Sequence, residues 1–159
     1  MSFMQKNKKG FTLIEILLVI GIIAVLATVV VVALDPATRF KDARNSRRLS
    51  DIQNILFAVQ QYIVDNKGAL PAGIDASERQ IGTDTGDCDL STTVCAVSNS
   101  GAGCLDLSTE LARYLKSLPF DPANGSSGHT RYSVSADTNN IITVRACDST
   151  DETIAEVSR

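Results

Sequence analysis

The sequence predicts an α+β fold: one long N-terminal helix attached to a small C-terminal head of mixed structure. Three observations predict it. The 19 residues from Ile16 to Leu34 contain no charged side chain. The stretch that follows carries apolar residues at helical spacing up to about Asn66. Beyond that point the chain becomes rich in Gly, Ser, Thr, Asp and Asn, holds all four cysteines, and contains two short segments with apolar–polar alternation. The 159 residues are enough for one domain and too few for two comfortable ones. The formal net charge of −3 excludes a general nucleic-acid binder driven by overall basicity. That average hides a division, because residues 67–159 hold 13 acids against 7 bases. A greasy rod joined to a polar, acidic body is a poor match for an ordinary cytosolic enzyme.

The chain opens with a basic segment, residues 1–10, in which Lys6, Lys8 and Lys9 precede Gly10. Residues 11–34 follow as a transmembrane candidate. As a helix, Ile16–Leu34 spans about 28 Å, close to the roughly 30 Å hydrocarbon core of a bilayer. Its Val and Ile content would favour a strand in water, but the uninterrupted length decides for helix, the structure that satisfies its own backbone in lipid. A secretory signal would end at a small-residue cleavage site after about 7–15 apolar residues. Here the run continues past Ala24 and Ala27. Glu15 needs an explanation, because a charged side chain inside an apolar helix costs about 2.5–3.5 kcal/mol on insertion scales. Near the helix start it gains from the positive end of the dipole. If the chain is cut after Gly10, the α-ammonium of Phe11 lies one turn away on the same face.

Asp35–Pro36 follows the apolar run. Pro36 lacks an N–H and crowds the carbonyl of Val32, so a bend or local break is expected at Pro36. Phe40, Ala43, Ile52, Ile55, Leu56, Val59, Tyr62 and Ile63 then approximate helical spacing, and Gly68 and Pro71 end the helix. Residues 35–66 are thus an amphipathic continuation that packs on the head, giving one helix of about 55 residues over 11–66. Arg39, Lys41, Arg44, Arg47 and Arg48 are expected to form a solvated face or subunit contacts with acidic heads. Asp42 and Asp51 dilute them, and no aromatic interleaving supports nucleic acid.

The head is expected over 67–159. Residues 68–103 read as a long loop. Residues 105–119 predict a short helix, capped by Asp106 or Ser108, with Leu107, Leu111, Tyr114, Leu115 and Leu118 on its apolar face. Residues 131–136 and 141–146 alternate and form an antiparallel hairpin around Asp137–Asn140. A third strand is expected at Thr153–Val157 or within the long loop, because a lone hairpin is marginal. Cys88, Cys95, Cys104 and Cys147 lack metal-site spacing, and His129 is remote from them in sequence, so two disulfides are expected and no metal. Of the three possible pairings, Cys88–Cys95 with Cys104–Cys147 is favoured, closing one small loop and tying the loop region to the last strand. No catalytic constellation is present: there is one histidine, expected to be a surface-loop residue, and no nucleophile elbow, phosphate loop or zinc-protease motif. The chain is expected not to be an enzyme and to need no cofactor.

The segment KKGFTLIEILLVIGIIAVLA resembles the leader and first helix of type IV pilins and type II secretion pseudopilins. The resemblance covers roughly residues 6–34; the remainder fits in layout. It implies that a prepilin peptidase cuts the leader 1–10 between Gly10 and Phe11, that the same type of enzyme N-methylates Phe11, and that Glu15 pairs with the Phe11 amine of an adjacent subunit. The implied function is a structural subunit held in the cytoplasmic membrane, with the head outside, and polymerised with copies of itself by a membrane assembly platform into an extracellular filament. The implied partners are the peptidase, the platform, membrane lipid and other copies of the chain, with no nucleic acid. A positive-inside count of the five bases after the span against three lysines before it favours the opposite orientation; the motif and the cysteines favour the head outside. A pseudopilin of a secretion or DNA-uptake machine is an alternative, as is an anchored ligand-binding protein that never polymerises. Some major pseudopilins hold calcium near a D-P turn similar to Asp121–Pro122, although the turn chemistry here reads as solvated.

Overall fold

A computed structural model of the protein describes residues 10–86, 88–97, 103–149 and 156–159. The chain divides into two compact units, Met1–Phe40 and Lys41–Arg159.

The first unit is dominated by helix α1, Leu13–Leu34. Helix α2, Pro36–Asp65, begins in this unit and continues into the second. The long helical stretch is therefore interrupted at a single residue. Asp35 adopts left-handed backbone angles (φ 37°, ψ 71°). The residue before a proline is disfavoured in the α region, and Pro36 takes the first position of the new helix, where its missing N–H costs nothing. The Asp35 carbonyl accepts from the Arg39 N–H at 3.3 Å, and its carboxylate accepts from the Thr38 hydroxyl at 2.6 Å. The interruption thus falls one residue before Pro36.

In the second unit, the Lys41–Asp65 part of α2 packs Ile52, Ile55, Leu56, Ala58 and Val59 into the core. Fully burying each large aliphatic side chain stabilises the fold by roughly 1.5–3 kcal/mol. The expected apolar face is corrected at its start. Phe40 and Ala43 are exposed, and the inward row begins instead with Asn45 and Arg48. Opposite the helix lies a four-stranded antiparallel sheet in the order β1 (Arg79–Gln80), β4 (Tyr132–Ala136), β5 (Ile142–Ala146), β6 (Glu156–Ser158). β4 and β5 form the expected hairpin, with Val134 opposite Val144. Asp137 shapes its turn, accepting from the N–H groups of Asn139 and Ile141, each at 2.8 Å. Both sources of a further strand are used: β1 comes from the long loop, and β6 takes in residues 156 and 157 of the C-terminal candidate, whose residues 153–155 lie outside the described part.

Two expectations are corrected here. Within the expected helix 105–119, residues 108–114 form consecutive turns instead. Ser108 N–H is held by the Asp106 carboxylate at 2.8 Å, and the carbonyl of Leu111 accepts from both Tyr114 and Leu115. The turns still bury Leu107 and Leu111 and pack Tyr114, Leu115 and Leu118 against the core. The long loop also carries a second small sheet, β2 (Leu90–Ser91) with β3 (Ala96–Val97). Leu90, Cys95, Val97 and Cys147 form a satellite core of their own.

Candidate functional site

The N-terminal site is built on the first turn of α1. Thr12 is the N-cap, with extended backbone angles. Its hydroxyl oxygen accepts from the Glu15 N–H at 3.3 Å. In return the Glu15 carboxylate oxygen Oε2 accepts from the Thr12 N–H at 2.8 Å and from the Thr12 hydroxyl at 2.9 Å. This reciprocal capping box satisfies backbone donors that a helix start leaves orphaned. The signal for it is present in the sequence as Thr-x-x-Glu before an apolar run, and Thr12 is the capping partner that reading by charge alone passes over. The carboxylate is thereby fixed within one turn of the Gly10–Phe11 peptide bond. Gly10 is exposed, and the space around its α-carbon is open. Phe11 is 84% exposed.

Behind this turn, α1 contains no buried residue. Its Leu, Ile and Val side chains point outward on every side. Thr28 returns its hydroxyl to the Ala24 carbonyl at 2.9 Å, so its polar group is satisfied within the helix. The 22 residues of α1 span about 33 Å, enough to cross a hydrocarbon core. By length and composition this is a helix able to cross a membrane.

Residues 5–31 match a family model, the prokaryotic N-terminal methylation motif. The chain carries the type IV pilin and pseudopilin signature. No solved structure matches it. The motif points to a structural protein rather than an enzyme, and it implies processing by a prepilin peptidase and assembly into pilus-like filaments. Together with the apolar α1 it indicates membrane anchoring.

In the head, the basic cluster divides. Arg39, Lys41, Arg44 and Arg47 are exposed, whereas Arg48 is buried. This corrects the expectation of a uniformly solvated or subunit-facing cluster. Arg48 Nε donates to Asp121 Oδ2, its Nη2 donates to Oδ1 at 3.2 Å, and its Nη1 donates to Asn45 Oδ1 at 2.9 Å. The Asp121 carboxylate also accepts from the N–H groups of Ala123 and Asn124 at 2.8 and 3.0 Å. Burial pushes the Asp121 carboxyl up; the donors from Arg48, Asn124 and Ala123 outweigh it and hold the pKa below the ordinary value. Nearby, the Tyr132 hydroxyl donates to Asp51 at 2.8 Å. Burial raises the pKa of Asp51 despite that bond and the charge of Arg47. Burial and the Asp51 contact also push the Tyr132 phenol up. These residues do not fit a calcium ion: both Asp121 oxygens serve a guanidinium whose charge opposes a second cation. Gly125 closes the same turn, because a Cβ there would collide with the backbone N of Asp121.

The four cysteines form two disulfides, Cys88–Cys104 and Cys95–Cys147. The favoured pairing is therefore corrected. The β2–β3 hairpin turns Cys95 away from Cys88 and into the satellite core, where Cys147 at the end of β5 meets it. His129 lies beside the other disulfide, with Nδ1 3.6 Å from the Cys104 sulfur and 4.0 Å from that of Cys88. It is a half-exposed loop residue in contact with cysteines that are distant in sequence.

Proposed function

We propose that this chain is a pilin-like structural subunit. It is cut between Gly10 and Phe11, N-methylated on Phe11, held in the cytoplasmic membrane by α1 with its head outside, and polymerised with its own copies into an extracellular filament. The observation that carries this reading is the methylation motif lying on a helix whose apolar side chains are exposed all round. Such a helix needs an apolar environment throughout its life, first lipid and then the matching helices of neighbours. Glu15 supplies the selectivity of that transfer. Its Oε2 atom closes the capping box within the subunit. Its carboxylate charge meets the ammonium of an incoming Phe11, which exists only after cleavage. Breaking such a pair in an apolar setting by removing one partner costs about 3–5 kcal/mol.

The test is the Glu15→Val chain, compared with the parent for the ratio of sheared filament to membrane-bound subunit. Insertion should persist while the filament fraction falls sharply. Intact mass of the parent subunit should correspond to a chain starting at Phe11 with one added methyl group. An unchanged ratio would reduce Glu15 to a helix cap, and a parent chain that yields no sheared filament would leave a membrane anchor that does not polymerise.

A further inference from the structure

We propose that reduction of the Cys88–Cys104 disulfide opens a binding site for a zinc-type divalent cation, ligated by the two sulfurs and His129 Nδ1. These three ligand atoms lie within 4.8 Å of one another, the one such group of His, Cys, Asp and Glu among the described residues. In a tetrahedral site with Zn–S of about 2.3 Å and Zn–N of about 2.0–2.1 Å, neighbouring ligand atoms stand about 3.6–3.8 Å apart. Nδ1 is already 3.6 and 4.0 Å from the two sulfurs. Only the sulfurs must separate, and cleavage of their bond permits that.

Both ring nitrogens of the histidine have polar neighbours. Its Nε2 faces the Asp84 carboxylate at 3.4 Å. The Gln80 amide nitrogen approaches Nδ1 at 3.3 Å as a donor. Assigned from those partners, Nε2 carries the donor hydrogen and Nδ1, the ring nitrogen near the sulfurs, is the acceptor that a cation would take over from the Gln80 amide. A carboxylate behind a ligating imidazole is the usual outer support of a zinc histidine. Gln80 Nε2 also stands 2.9 Å from the Cys88 sulfur, where it can donate to a thiolate. The His129 side chain is 40% exposed, so reductant and cation have a path in. The chemistry balances. A dithiol reductant gives two electrons and two protons to the protein disulfide, the S–S bond breaks to two thiols, and the reductant becomes the disulfide. The cation then displaces those two protons, and water completes its coordination.

The experiment uses the full chain in detergent, a phosphine reductant and Co²⁺ as the spectroscopic probe. One equivalent of Co²⁺ should give sulfur-to-cobalt charge-transfer bands after reduction and none before it. The double variant Cys95→Ala, Cys147→Ala should keep the bands. His129→Ala should weaken binding at least tenfold, and Asp84→Asn by about 10–100-fold. Both of the latter retain every cysteine, so they separate a built site from thiols in an unfolded chain. Bands of equal strength before reduction, bands indifferent to His129, or bands lost with Cys95 and Cys147 would each overturn the proposal.

Discussion

Helix α1 and the Lys41–Asp65 part of α2 lie in one continuous stretch of chain and answer opposite physical demands. α1 is apolar on every face and buries nothing. The α2 portion is polar on average, yet it supplies seven buried positions, two of them Asn45 and Arg48. Hydrophobicity in a sequence therefore measures a need for apolar surroundings, and the fold need not be what meets it. The less greasy segment is the one that organises the head, because its apolar residues share one stripe and its polar residues meet specific partners.

The sharpest way to break that contrast is at Arg48. Arg48→Ala leaves the Asp121 carboxylate buried beside an empty space. It should cost the head about 3–5 kcal/mol in denaturant unfolding, while membrane retention is unchanged. Arg47→Ala, one residue away and exposed, should cost no more than about 1 kcal/mol.

A pair of aliphatic truncations comes next. Ile55→Ala should destabilise the head by about 2–5 kcal/mol. Ile23→Ala in α1 should move the same unfolding transition by less than about 0.5 kcal/mol. Equal effects would mean that α1 is part of the head's cooperative unit.

At the start of α1, Thr12→Ala removes the cap and should cost that helix about 0.5–2 kcal/mol. Amide exchange of the first turn should quicken, with Thr12→Ser restoring protection and the head unaffected.

The smallest effect separates the buried Asp121 from the partly buried Asp51 by sign. The Asp121 pKa is lowered on folding, so its contribution is present above the unfolded carboxylate value and is lost as pH falls through the folded one. The Asp51 pKa is raised, so its contribution is full below the unfolded value and is lost as pH rises through the folded one. Lowering the pH from neutral should first favour the head slightly through Asp51 and then weaken it through Asp121. In Asp51→Asn the first phase should vanish and the second persist, which unfolding midpoints at stepped pH will read.

The parts legible from sequence are those that do not depend on a distant partner. α1 needs only an unbroken apolar run, the interruption near Pro36 needs only the proline ring, and the β4–β5 hairpin follows from alternation around Asp137–Asn140. The Thr12–Glu15 box was equally local. What stayed hidden depends on tertiary placement. Arg48 reads as a solvated base until a carboxylate 73 positions away meets it. The leucine spacing of 107–118 suits a helix, but turns set by Asp106 deliver the same side chains to the core. The cysteine pairing was not deducible, because it depends on where the β2–β3 hairpin carries Cys95.

That pairing is interlaced: Cys95 lies inside the loop closed by Cys88 and Cys104, and its partner Cys147 lies outside it. A peptide bond cut anywhere between residues 88 and 147 therefore leaves both pieces joined by a cystine. A second cut keeps all three pieces linked as long as it falls in a different one of the three intervals between successive cysteines. One cut in each of the three intervals splits the chain into two cystine-linked pairs, and two cuts within a single interval free the cysteine-less piece between them. Had the neighbours paired instead, one nick between Cys95 and Cys104 would have split the chain. For the head, the order in which its four sulfurs are joined sets which cuts it survives in one covalent piece.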